Sequence, residues 1–231
     1  MITNVLLDLD GTLTDPALGI TNCIAYALDR LDVAVPHPRD LHFAIGPPLR
    51  GTFATLLATD DAAVIERAMV LYRERFADSG LFENVVYDGV PEMLATLKAR
   101  NYRLLLATSK PQVYARRILA HFNILSPFDG IYGSELDGVR QHKGELLAYL
   151  LDREGIDPAT AVMVGDRHHD IDAARANGCR AVGILYGYGS AEELVHADSL
   201  CESPGCIPTH VTAIQNMLAN GLPNHIAKSV S

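Results

Sequence analysis

A chain of 231 residues, 48% hydrophobic and 20% charged, holds enough apolar material for one α/β domain of ordinary size, alone or with a smaller insert, which excludes a disordered or fibrous protein. Its 19 Lys and Arg against 28 Asp and Glu leave a formal charge of −9, the wrong sign for a non-specific nucleic-acid binder, although a local site can still oppose the global charge and take a phosphorylated small molecule. No apolar run approaches the ~18–20 residues of a transmembrane helix, the first residues carry no basic leader, and four cysteines are too few for a disulfide framework, so a cytoplasmic protein is expected.

Residues 5–9 are apolar around Asp8 and are followed by Gly11, as a buried strand ending at a turn should be. From Pro16 to about Glu83 no convincing strand appears, only helical patterns over 20–31, 48–57 and 62–76. Roughly 65–70 residues are far too many for a simple connection, so a helical subdomain inserted after the first strand is expected. A helix over 90–100 then has Pro91 in its first turn, where the missing N–H costs nothing. Strands over 102–107, 130–132, 161–164 and 181–184 alternate with helices over 112–122, 143–153 and 170–177, the last closed by Gly178. That alternation implies right-handed βαβ units: an α/β, Rossmann-like parallel sheet with helices on both faces. The expected division is an α/β core of residues 1–15 and 84–231 around an all-α helical unit of 16–83. The tail after Pro204 is weakly patterned and reads as one short helix and a frayed end.

Four polar features follow predicted strands, where open parallel sheets bind ligands. In Asp8-Leu9-Asp10-Gly11-Thr12-Leu13, residues two apart on a strand share a face, so both carboxylates can approach one site, where a hard cation such as Mg²⁺ would relieve their repulsion. A solvated strand end is the alternative; a calcium loop fails because Gly11 and Gly19 occupy the wrong positions. In Ala107-Thr108-Ser109-Lys110, hydroxyls and N–H groups can meet phosphate oxygens or cap a helix. Lys143 is singled out only by its place between a strand and its helix. In Val164-Gly165-Asp166-Arg167-His168-His169-Asp170, two carboxylates four residues apart approach each other if a helix begins near Arg167, as metal ligands or as partners of the helix dipole.

Together these motifs resemble the haloacid dehalogenase superfamily, in its phosphatase branch with a helical cap inserted after the first strand. The likeness covers nearly the whole chain. Ala107–Pro111 and Ile45-Gly46-Pro47-Pro48-Leu49 are similar to members named phosphoglycolate phosphatase or 5′-nucleotidase. The resemblance implies a Mg²⁺-dependent phosphomonoesterase acting on phosphoglycolate, a nucleoside monophosphate or a sugar phosphate. Asp8 would be the nucleophile that forms an aspartyl-phosphate, and Asp10 the acid and then the base. Mg²⁺ would meet Asp8, the backbone carbonyl of Asp10, Asp166 and Asp170, the last directly or through water; Thr108, Ser109 and Lys143 would hold the phosphoryl oxygens. Gly46 would lie in the substrate-selecting cap loop, with Arg50 beyond it as an anion contact or a solvated arginine.

The same core serves phosphosugar mutases of the β-phosphoglucomutase type, although no cap constellation here demands that activity. A non-catalytic receiver-like switch is argued against by Val5, Leu6 and Leu7, where receivers carry an acidic pair. Dehalogenation needs no acid such as Asp10. His168 and His169 diverge by about 100° on a helix and are expected to face solvent; Cys201, Cys206 and His210 lack zinc-finger spacing; Cys23 reads as a packed thiol, and Asp15 before Pro16 as a turn residue. The partner expected is a small phosphorylated metabolite, with no nucleic-acid polymer and no membrane, for a monomer or homodimer whose cap hinges near 14–16 and 83–89.

Overall fold

In the computed structural model of the protein, residues 1–219 are described. The elements in chain order are β1 (Asn4–Leu7), β2 (Thr14–Asp15), α1 (Ala17–Asp29), α2 (Leu49–Leu56), α3 (Ala62–Arg75), β3 (Val85–Val86), α4 (Val90–Ala99), β4 (Arg103–Pro111), α5 (Gln112–His121), β5 (Gly130–Ser134), α6 (Lys143–Glu154), β6 (Ala161–Gly165), α7 (His168–Ala176), β7 (Arg180–Ile184), β8 (Ser199–Cys201) and α8 (Ile207–Ala219). Six of the strands form one parallel sheet in the order β5-β4-β1-β6-β7-β8.

Strand alternation divides the core in two. Val5, Leu7, Leu104, Leu106, Val162 and Val164 face one side, against Val90 and Leu94 of α4, Ile118 of α5 and Val211 of α8. Leu6, Leu105, Met163 and Ala181 face the other, against Leu147 and Leu150 of α6 and Ile171 of α7. A strand buried on both faces reads as a continuous apolar run, which is why the central strands were legible. The doubly covered parallel sheet agrees with the expected fold class.

The differences lie where short or polar segments carry no period. β2 and β3 form an antiparallel ribbon, Thr14 opposite Val86 and Asp15 opposite Val85, that joins the two ends of the helical insert. β8 is a three-residue edge strand. β4 runs to Pro111 rather than 107, through a register shift between Thr108 and Pro111 that Pro, lacking an N–H, tolerates. β1 ends at Leu7, so strand alternation does not carry on to Asp10, which lies in the turn beyond it. A π-helical turn, Phe76–Gly80, follows α3. α8 is longer than the short helix expected of the tail, and the expected frayed end lies outside the described residues. Among the described residues no helix is long and apolar enough to cross a membrane.

Candidate active site

Register brings the motifs together. Leu7 pairs with Leu106 on one side and Val164 on the other, so Asp8, Ala107 and Gly165 sit side by side where the central strands end. Asp8 N–H donates to Val164 O at 3.0 Å. α7 begins at His168, and Asp170 in its first turn accepts at Oδ2 from Arg167 N–H, 3.1 Å. Asp8, Asp166 and Asp170 are all buried, with a carboxylate oxygen from each within 4.8 Å of the others.

Lys143, the first residue of α6, reaches into this cluster. Its Nζ lies 2.8 Å from both Asp8 Oδ1 and Asp170 Oδ1 and donates to Ala107 O at 2.9 Å. The one ammonium thus pairs with both carboxylates at once. Burial works against the lysine's charge, but Asp170 and Asp8 overcome it and hold the ammonium above the ordinary lysine range. Asp166 Oδ2 accepts from Tyr188 N–H at 2.7 Å, whereas its Oδ1 is buried with no donor at all. Burial, then Asp170 and Asp8, push the Asp166 carboxyl well above the usual range; burial likewise pushes Asp170 up to about 6 against the pull of Lys143. Three buried carboxylates with one lysine and an orphaned oxygen fit a hard divalent cation, whose charge and oxygen preference supply what the cluster lacks. Gly11 makes the close approach possible: its φ is +82°, and a Cβ there would come 2.1 Å from Asp166 Oδ2.

The Asp10 side chain stands outside this triad. Its Oδ1 accepts from Lys110 Nζ at 2.7 Å, both side chains being nearly buried, and the same ammonium lies 5.2 Å from the Phe76 ring centroid. Burial raises the Asp10 carboxyl and Lys110 opposes the shift. Asp8 and Asp10 lie close enough for each other's charge to matter, as expected of two carboxylates approaching one site, but each has its own lysine: Lys143 partners Asp8 and Lys110 partners Asp10. Beyond Asp10 opens a cavity of about 100 Å³. Its core side includes Ser109, Lys110 and Tyr114, its helical side Gly46, Pro47, Pro48, Met69 and Tyr72.

The remaining sequence candidates are placed as follows. Thr108 is buried, and its Oγ1 accepts from Lys110 N–H at 3.2 Å; Ser109 O accepts from Ser134 Oγ at 2.8 Å. Arg50 lines the cavity rim, where Glu66 pairs with it and also lies 3.5 Å from Arg73, so it is not a freely solvated arginine. Asp15 does hold the turn, accepting from Ala17 N–H at 3.0 Å and pairing with the Tyr188 hydroxyl. His168 keeps 43% of its side chain exposed while its ring contacts Glu193, but the rings of His168 and His169 lie 3.8 Å apart, centroid to centroid, rather than diverging as expected; neither joins the acidic cluster. His210 pairs with Ser199 rather than with the cysteines. Cys23 is packed, its thiol pushed up to about 11 by burial.

Five residues of the site and its surroundings escaped sequence reasoning: Lys110, Arg167, Tyr188, Glu193 and Glu66. Lys110 and Arg167 stand inside the quoted motifs, and a charged residue next to a chemical one was the available signal. Tyr188, Glu193 and Glu66 gave none, because only tertiary packing brings them near.

Residues 5–184 match the haloacid dehalogenase-like hydrolases. The chain belongs to this family. A 5′-nucleotidase of Pseudomonas aeruginosa is 49% identical over 191 residues, covering 83% of this chain and 86% of that protein. The tyrosine-protein kinase PtkA of Mycobacterium tuberculosis is 37% identical over 213 residues, 92% of this chain and 70% of that protein. Among solved structures, a predicted phosphatase from Clostridium acetobutylicum superposes with a TM-score of 0.86 at 37% identity, covering 94% of this chain and all of that one. The three clustered aspartates, Asp8, Asp166 and Asp170, all fall within the stretch that matches the family.

Proposed function

We propose that this hydrolase is a Mg²⁺-dependent phosphomonoesterase that forms an aspartyl-phosphate at Asp8 and acts on a small phosphorylated metabolite: phosphoglycolate, a nucleoside monophosphate or a sugar phosphate. The chain is a phosphoric monoester hydrolase of its family; the metal, the intermediate and the substrate are the proposal. The observation that carries it is the division of labour between Asp8 in the acidic cluster and Asp10 on the cavity side. Asp8, Asp166 and Asp170, with the Asp10 carbonyl, would hold Mg²⁺, which would supply Lewis acidity and offset the charge of nucleophile and phosphate. Lys143 screens Asp8, while Thr108 and Ser109 line the phosphoryl side. In this reading the segment 16–83 is the cap that closes over the leaving group, moving about the β2–β3 ribbon.

Release of stoichiometric inorganic phosphate from a panel of phosphate esters, abolished by EDTA and restored by Mg²⁺, tests the proposal. A product that keeps its phosphate at a new position would favour the mutase instead.

Asp10 carries its own test. As general acid it matters most for a poor leaving group, and such catalysis contributes about 10²–10⁴-fold. Asp10→Asn is therefore expected to lose far more kcat on an alkyl phosphate than on p-nitrophenyl phosphate, whose leaving group needs little protonation. Equal losses would remove Asp10 from the acid role.

The cluster also sets a pH dependence. Asp170 has its carboxyl raised to about 6 on folding, so between pH 4 and about 6 the folded, metal-free protein binds more protons there than the unfolded chain and this group costs increasing stability as pH rises through that window; Asp166, also raised, acts in the same direction. A bound cation reverses that cost by replacing the protons. The rise in Tm at a fixed Mg²⁺ concentration is expected to be larger at pH 7.5 than at pH 5.5. An equal or smaller rise at pH 7.5 would contradict this.

A further inference from the structure

The loop that carries Asp166 and Asp170 does more than present carboxylates. Between them Arg167 sends its side chain away from the cluster, mostly buried, to two partners on different parts of the molecule. Nε donates to Glu193 Oε1 at 2.8 Å, and Nη1 donates to the backbone carbonyl of Ile45 at 2.6 Å. Ile45 opens the Gly46-Pro47-Pro48 turn, which lines the cavity. Neither proline has an N–H, so the turn offers a partner chiefly carbonyls, and an arginine donor is matched to that. At Gly46 φ is +101°, and a Cβ there would stand 3.1 Å from Arg167 Cγ, so the turn comes down directly on the arginine stem. Glu193 in turn is locked: the same Oε1 accepts from His168 N–H at 3.0 Å and contacts His168 Nδ1 at 2.8 Å. Burial acts to raise its carboxyl, but Arg167 and His168 overcome this and hold it at about 2.

We propose that Arg167 is a positioning residue that ties the substrate-facing turn at 45–48 to the loop of the acidic cluster, with Glu193 orienting the guanidinium so that Nη1 meets Ile45. The planar fork makes this possible: Nε is fixed by a carboxylate while Nη1 reaches the turn, and a lysine has no second nitrogen with which to span these two separated partners. A leaving group in the cavity then meets a turn held in register with the phosphoryl site. The kinetic consequence rests on the phosphatase reading; the mechanical one does not.

The test compares wild type with Arg167→Met, Arg167→Lys and Glu193→Gln, the last being the milder change should the first two fold poorly. Amide hydrogen exchange reads the turn directly: residues 42–46 are expected to exchange about tenfold faster or more in both Arg167 variants, and by a smaller factor in Glu193→Gln. Unchanged exchange in these variants overturns the proposal whatever the enzyme does. Kinetics separate positioning from general damage. KM for the best phosphate ester of the panel is expected to rise about tenfold, while Ki for inorganic phosphate, which occupies only the phosphoryl site, stays within about twofold. A parallel loss of both would make Arg167 a merely structural residue. If wild type turns over no phosphate ester, the phosphatase reading fails, and the exchange result alone decides the tie between turn and loop.

Discussion

Asp8→Asn is expected to lower kcat by about 10⁴-fold or more, the scale seen when a nucleophile is removed from a site that otherwise stays assembled. Asn has nearly the same shape, so the backbone bond to Val164 and the contacts of Lys143 with Asp170 and Ala107 can persist. The substitution removes the ion pair of Asp8 with Lys143, but Asp170 still balances that ammonium, and one of three carboxylates clustered within 4.8 Å no longer repels the others in the metal-free protein. The metal-free variant should therefore unfold at the same temperature as the wild type or higher, and this separates lost chemistry from lost fold. Substantial turnover by a folded Asp8→Asn protein would sink the nucleophile assignment. A variant that is inactive because it no longer folds would refute the stability half of the expectation.

The second large effect is on stability. Lys143 is 6% exposed and is the one cation that touches both Asp8 and Asp170 among the described residues. Lys143→Met leaves these carboxylates facing each other and Asp166 in a buried space, and leaves Ala107 O without its donor. Breaking a buried ion pair by removing one partner costs about 3–5 kcal/mol, because the remaining charge is uncompensated. The expected result is a loss of that size in urea unfolding at neutral pH without metal, together with loss of turnover. If the cluster holds Mg²⁺ as proposed, saturating Mg²⁺ should recover part of the stability by supplying positive charge there, but not the activity, since the phosphoryl contact proposed for Lys143 would be gone. Lys143→Arg is no remedy, because a larger planar group must enter a space filled by one ammonium. A loss below about 1 kcal/mol would mean that the cluster is neutralised in another way.

Much of the fold is legible in the sequence itself. Leu104-Leu105-Leu106 and Val162-Met163-Val164 announce strands buried on two sides, and a catalytic motif at the end of each is where a parallel sheet exposes side chains to a ligand. Gly165, Asp166 and Asp170 could be assigned to one site because helical spacing is rigid once the helix start is placed, and α7 starts at His168, one residue from the start near Arg167 that the spacing required. The partition of Asp8 and Asp10 was not readable. Strand alternation let both carboxylates approach one site, but β1 stops at Leu7, and only the turn beyond it decides that Lys110 rather than Lys143 meets Asp10.

Local order thus determined the parallel α/β sheet, the helical insert and the acidic residues at the strand ends, because hydrophobic period, turn residues and motif spacing are all written within a few positions of each other. Tertiary structure alone decided which lysine faces which aspartate, that Glu66 draws in both Arg50 and Arg73, that Tyr188 caps one oxygen of Asp166, and that Arg167 reaches Ile45 across 122 positions of chain. Such pairings depend on where separate elements pack, and a single chain carries no local period that encodes a contact between residues so far apart.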